Sequence, residues 1–240
     1  MPDVVESDSG QPARAPRAWT PLSRALAATG DRWTLSIALA LGPGRIRLTQ
    51  LHKRLPGIST GVLERGLQQM VALGLVTRTR FKEMPPRVEL ELTDAGHELL
   101  PIAGALARWG MRHVWSAPGA HEQADLHVLL RLLPCLAEGT SDLPAGGLEA
   151  LVTDTDPPIR YRYQVKDGSL GATYSPDEAP ATTPDRTSAA IHGDTNAWIA
   201  AVGPSGDHRG LRLTGDEHLA RAVLASLPGS ADRGLSQWAE

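Results

Sequence analysis

Between residues 49 and 93 the chain sets out an order of elements that few folds can hold. Two helical segments are joined across a proline-glycine break, and two short stretches of alternating character follow them. Thr49 can cap the first segment, 50–55, which Pro56 and Gly57 end; Ser59 can cap the second, 60–73, which Gly74 stops. Stretches 75–81 (LVTRTRF) and 87–93 (RVELELT) alternate apolar or β-branched residues with charged ones, the period of a strand. Residues 82–86 (KEMPP) suit a hairpin tip, since proline cannot donate to a strand ladder. Upstream, 21–26 (stopped by Gly30) and 32–41 (capped by Asp31) read as helices, and 45–48 as a short extended link. Downstream, 94–115 reads as one long helix with Leu99, Leu100, Ile102, Ala103, Leu106 and Trp109 on its apolar face, kinked near Pro101.

Helix, turn, helix and two-stranded hairpin in that order make a winged helix-turn-helix, in which the second helix enters the major groove. At 100° per residue, Leu63, Leu67, Met70 and Val71 fall on one side of segment 60–73, and Gly61, Arg65, Gln68 and Gln69 on the other. Arg65, Gln68 and Gln69 are therefore the candidates for base edges, which guanidinium and amide groups pair with. Gly61 permits close approach. Ser59 and Thr60 sit at the helix N-terminus, where free N–H groups favour a phosphate. Arg78, Arg80 and Lys82 alternate along the first wing strand and Arg87 opens the second, as phosphate contacts would.

The net charge of −3 looks unfavourable for nucleic acid, but its distribution reverses that impression. Residues 11–115 hold 15 Lys/Arg against 7 Asp/Glu, and residues 116–240 hold 9 against 17. Only the first half is expected to meet DNA. Apolar runs fall short of the ~20 residues of a membrane span, and the acidic start has no signal-peptide core, so a cytoplasmic location without membrane contact is expected. The single cysteine, Cys135, lies in an apolar run and reads as a small core residue. The sequence carries no nucleophile motif, phosphate loop or metal-ligand spacing, so neither catalysis nor a cofactor is expected.

Three blocks resemble the HxlR family of MarR-like regulators: WTPLSRALAATGDRWTLSIALAL, LTQLHKRLPGISTGVLERGLQQMVALGLVTR and MPPRVELELTDAGHELLPIAGALARWG. The resemblance spans roughly 19–110. It implies an operator-binding homodimer, paired through the N-terminal helices and the long helix 94–115. Many members carry a cysteine just before the first Pro-Leu; here that position is Thr20.

The remainder resembles, more faintly, the sterol carrier protein type 2 fold, a small α/β domain around an apolar tunnel. DLHVLLRLLPCLAEG, RYRYQVKDGSLGATYS and SAAIHGDTNAWIAAV with GLRLTGDEHLARAVLASL carry that resemblance. It implies an apolar small-molecule effector, with Leu129, Leu133, Leu136, Tyr161, Tyr163, Trp198 and Leu213 as candidate walls. His192 and His208 read as surface histidines. The expected fold is α+β. A tail (1–18) precedes a winged helix-turn-helix with its dimerisation helix (19–115), and a linker (116–124) leads to a sterol-carrier-like domain (125–230) and a tail (231–240). The expected function is sequence-specific binding of double-stranded DNA under effector control. The alternative is a hydrophobic-metabolite carrier that keeps the winged helix as a dimerisation scaffold.

Overall fold

The computed structural model describes residues 19–82, 87–119, 121–122, 124–137, 142–173 and 187–231. The expected tail 1–18, the hairpin tip 83–86, the loop 176–186 and the tail beyond residue 231 lie outside the described residues.

Two compact units divide the chain, Met1–Asp31 and Arg32–Glu240. Within the first, α1 (Pro21–Thr29) starts with a proline whose missing N–H costs nothing there, and a capping box joins Thr20 and Ser23. Leu22 and Leu26 stay exposed on it.

The second unit opens with α2 (Thr34–Leu41), β1 (Ile46–Arg47), α3 (Leu48–Lys53), α4 (Thr60–Ala72), β2 (Val76–Phe81), β3 (Arg87–Leu92), α5 (Asp94–His97) and α6 (Leu99–His113). Ser59 caps α4 by accepting from the Val62 N–H. Gly74, at φ 70°, takes the left-handed turn that releases the chain into β2. Ile37, Leu41, Ile46, Leu51, Leu63, Leu67, Met70, Val76, Leu90 and Leu99 share one core.

Three expectations change here. The link 45–48 is strand β1, pairing Ile46 with Leu90, and it completes a sheet of order β1-β3-β2. Helix α3 accordingly begins at Leu48 with Arg47 rather than Thr49 as its cap. The single helix 94–115 is two, parted at Glu98. Pro101 explains the break: it has no N–H for the His97 carbonyl, and its ring crowds that same group.

The chain continues through α7 (Leu126–Leu136), β4 (Gly146–Val152), β5 (Ile159–Lys166), β6 (Ser169–Thr173), β7 (Thr187–Gly193), α8 (Thr195–Val202), β8 (Arg212–Gly215), α9 (Glu217–Ala225) and α10 (Pro228–Ala231). Asp167 and Gly168, both at positive φ, turn β5 into β6. The sheet order is β6-β5-β4-β7-β8, antiparallel except for the β4–β7 pair. Its apolar face, with Leu148, Ala150, Tyr161, Tyr163 and Ile191, is buried against α7, α9 and Trp198 of α8. The opposite face is polar, with Arg162 3.5 Å from Glu149 and His192 Nε2 3.1 Å from Thr214 Oγ1.

The candidate effector walls divide unevenly in this layer. Leu133, Leu136, Tyr161, Tyr163 and Trp198 are buried in the core, and Leu129 packs against it. Their polar atoms are used internally: Tyr163 Oη donates to the Leu130 carbonyl (2.9 Å) and Trp198 Nε1 to the Leu151 carbonyl (3.0 Å). These side chains fill space between sheet and helices, whereas Leu213 borders an open cleft at the sheet edge.

Helix α7 serves both cores, since it packs on α2 and α6 as well as on β5 and β6. Its Arg131, almost fully buried, donates from Nη1 to the Arg54 carbonyl (3.0 Å), and Arg54 Nη1 donates to the Ala40 carbonyl (2.7 Å). The approach of α7 to α6 is close at Gly104, where a Cβ would stand 2.7 Å from both Cys135 Cβ and the Cys135 carbonyl oxygen.

Candidate nucleic-acid interface

Helix α4 shows the two-sided character its sequence implies. Leu63, Leu67 and Met70 are buried, while Gly61, Arg65, Gln68 and Gln69 are exposed together on the outer side. Val71, expected with the apolar side, is exposed instead, because it lies about 100° round the helix from Met70. A Cβ at Gly61 would meet nothing within 4 Å, so the glycine leaves room outside the protein rather than inside it. Ser59 and Thr60 are exposed at the helix start, and Thr60 Oγ1 lies 3.4 Å from His52 Nε2. Exposed His52 and Lys53 thus join this end of the site, unmarked by any periodicity in the sequence. Arg65 folds back over α4, its Nε 3.4 Å from the Gly61 carbonyl.

The wing separates its charges by strand alternation. In the β2–β3 register Arg78 lies opposite Leu90 and Arg80 opposite Val88, so both arginines share the face of buried Val76. Glu89 and Glu91 fall on the other face, opposite Thr79 and Thr77, where Arg45 lies 2.8 Å from Glu91 and 3.9 Å from Glu89. That pairing to Glu91 holds the Arg45 guanidinium above its usual pKa.

The four wing cations consequently have different surroundings. Arg78 reaches Glu64 of α4 with both terminal nitrogens (2.9 and 3.4 Å), a two-pronged link from wing to helix. Arg80 and Lys82 are exposed and form no ion pair among the described residues. Arg87 is set apart from them: it lies over the Phe81 ring at 4.4 Å and within 3.1 Å of Glu89, on the glutamate face. The structure therefore brings together Ser59, Thr60, Gly61, Arg65, Gln68 and Gln69 along α4, with Arg78 and Arg80 on the wing face beside them.

Residues 28–117 match the HxlR-like helix-turn-helix family. An uncharacterized HTH-type transcriptional regulator of Methanothermobacter thermautotrophicus is 33% identical over 94 residues, which make up 39% of this chain and 68% of that protein. The chain belongs to the HxlR-like helix-turn-helix family. A second relative of this HxlR-like chain, the uncharacterized HTH-type transcriptional regulator BH0655 of Halalkalibacterium halodurans, is 34% identical over 95 residues, covering 39% of this chain and 84% of the relative. The solved structure of the redox regulator HypR in its oxidized form aligns with 39% of this chain and 97% of its own length, at 28% identity and a TM-score of 0.37. The HxlR-like match ends just beyond α6, so α7 and the five-stranded sheet lie outside it. Thr20, where many members are expected to carry cysteine, is the N-cap of α1. Among the described residues no helix is long and apolar enough to cross a membrane, and no three His, Cys, Asp or Glu side chains cluster as metal ligands would.

Proposed function

We propose that this chain is a sequence-specific DNA-binding transcriptional regulator that acts as a homodimer. One observation carries the reading: the side of α4 turned away from the core is exposed along its length, with Arg65, Gln68 and Gln69 on it and the exposed Arg80 on the wing beside it. Arg65, Gln68 and Gln69 read base edges, and Ser59, Thr60, Arg80 and Lys82 hold phosphates. Arg78 sets the wing through Glu64, and Arg87 contributes from the far face. The dimer addresses two half-sites about one helical turn apart, ~34–36 Å.

The finer part of the proposal concerns residues 125–230, as a sterol-carrier-like effector domain. Their five-stranded sheet, covered by helices on one face, is a second core built beyond the family match, and α7 ties it to the DNA-binding core. A bound effector acts through that tie by favouring one of two arrangements of the dimer.

The test is a salt-series titration of the full chain on DNA from upstream of its own coding sequence, against scrambled DNA of equal length. Tighter binding to the upstream fragment, with a linear loss of log affinity against log salt, is the expected result. Equal affinity for both fragments at every salt concentration would remove the sequence-specific reading.

A further inference from the structure

The five-stranded sheet has an open cleft of about 660 Å3 where its edge strand β8 meets α9. Leu211, Leu213, Leu224 and Ala225 supply apolar lining and Arg221 of α9 adds charge, while Arg212, opposite His192 in the β7–β8 register, lies on the polar face of the sheet and borders the cleft only at its edge. Glu217, Arg221, Leu224 and Ala225 recur at helical spacing, so a single face of α9 is turned to the cleft. A second hollow of about 560 Å3 adjoins it through Gly206, His208 and Arg221, and adds Asp207 and Arg209. The volume is that of a small-molecule site, about 300–1,000 Å3.

Three features indicate what such a ligand must carry. First, the chain from residue 116 onward holds 9 basic residues against 17 acidic ones, yet Arg209, Arg212 and Arg221 all border these two hollows. Second, their charges are available. Arg212 has no ion pair among the described residues, while Arg221–Glu217 (2.8 Å) and Arg209–Asp207 (2.6 Å) are surface pairs that solvent weakens. Third, His208 borders both hollows, its ring hydrogen-bonded to the Ala201 backbone and its Nε2 shielded from solvent with no partner among the described residues.

We propose that the β8–α9 cleft binds a small amphipathic carboxylate, its apolar body on Leu211, Leu213, Leu224 and Ala225 and its carboxylate against Arg221, which borders both hollows. The guanidinium fork matches a carboxylate in plane, and His208 stands at the polar rim. Helix α9 conveys occupancy inward: Leu219, Val223 and Leu224 belong to the core that also contains Leu130 and Leu133 of α7. This inference rests on the effector-domain reading above and gives it a location and a ligand chemistry.

Calorimetric titration of the full chain with 4-phenylbutyrate, 4-phenylbutanol and 4-phenylbutylamine compares three headgroups on one apolar body. The carboxylate should bind about tenfold or more tightly than the other two, the usual effect of a charge-assisted hydrogen bond. Arg221→Gln should remove that preference and leave the fold intact, because the side chain is exposed. Ala225→Phe keeps the Arg221 charge but fills the lining, and should weaken all three ligands together. Equal affinity for the three headgroups, or unchanged phenylbutyrate binding in either variant, overturns the proposal. DNA titration of the same preparations separates the two levels. DNA binding without phenylbutyrate binding overturns the cleft and spares the regulator, and the reverse pattern overturns the regulator and spares the cleft.

Discussion

Arg78 and Arg80 are two residues apart on one face of β2, yet they should fail differently when removed. Arg80 is exposed and forms no ion pair among the described residues, so Arg80→Ala should weaken binding to all sequences alike and reduce the salt slope by about one. Arg78 is occupied by Glu64, so Glu64→Gln should reproduce most of the Arg78→Ala defect although it removes a negative charge from the interface. Anisotropy titrations at several salt concentrations would distinguish the two roles; improved DNA binding by Glu64→Gln would show Arg78 to be a plain phosphate contact. The outward placing of Gly61, Arg65, Gln68 and Gln69 was legible because the helix period alone decides which side chains of α4 leave the core. The Glu64–Arg78 link was not, since it depends on how the wing folds over α4 between residues 14 positions apart. His127 extends the point to the second core. Its Nδ1 lies 3.2 Å from Tyr161 Oη, and burial, then the nearby Arg131 guanidinium, lower its pKa, with Asp125 opposing and Arg54 adding to the effect. The folded chain therefore keeps this ring neutral at pH values where the unfolded chain protonates it. Stability should fall as pH drops below about 6.5, the ordinary histidine value, and level off once the lowered pKa is passed. Urea unfolding of His127→Gln should show a shallower acid loss than wild type, with His192 and His208 contributing equally to both; identical pH slopes would assign the acid sensitivity elsewhere.

At the scale of elements, hydrophobic period revealed most helices and strands, and what it missed was settled by tertiary partners. β1 is two residues long, too short for any pattern, and exists because Ile46 finds Leu90. The helical spacing of Trp33, Ile37 and Leu41 by itself predicts one apolar side for α2, but Ile37 through Leu41 are all buried, as suits a helix packed against α3, α6, α7 and β3. Pro101 announced a disturbance in 94–115 and the structure makes it a break. Pro134 in the last turn of α7 has a different outcome, because the helix continues through it. It has no N–H to give the Leu130 carbonyl, and Tyr163 Oη fills that vacancy from β5 at 2.9 Å. The pairing of a helix proline with a strand tyrosine explains why Tyr163 points into the core with its hydroxyl satisfied. Tyr163→Phe should cost about 1–3 kcal/mol by leaving a buried carbonyl without a donor. In a Pro134→Ala background the helix supplies its own donor, so the same substitution should cost clearly less. Chemical denaturation of the four proteins in this double-mutant cycle measures the coupling, and a cost for Tyr163→Phe that ignores residue 134 would refute the compensation.

For the whole molecule, the charge split and the packing give complementary constraints. The basic half and the acidic half were legible in composition, but their mechanical connection through α7 was not, because it runs through Arg131, the Arg54 carbonyl and the Ala40 carbonyl rather than through any motif. That connection covers one surface of α6 and leaves another open. One side of α6 meets α7 and α2, burying Leu99, Ala103 and Met111. Ile102, Leu106 and Trp109 form a row on another side, and each stays more than half exposed, at 52%, 56% and 53%. A row of large apolar side chains at i, i+4 and i+7 on a helix already packed elsewhere is the mark of an unfilled interface. If the proposed dimer pairs through that row, charge placed in the middle of it would be buried without a partner there and cost nothing in the free chain. Leu106→Glu should therefore halve the mass in solution by light scattering while leaving the unfolding midpoint of the monomer unaltered. If the dimer spans two half-sites, the same variant loses the second contact as an intramolecular event, and affinity for a two-half-site fragment should fall about 10²-fold or more. Affinity for a single half-site should hold, since α4 and the wing lie far from the substitution in sequence and keep their own core. A monomer that bound both fragments as tightly as wild type would show that the α6 row serves some contact other than the one that places two recognition helices on DNA.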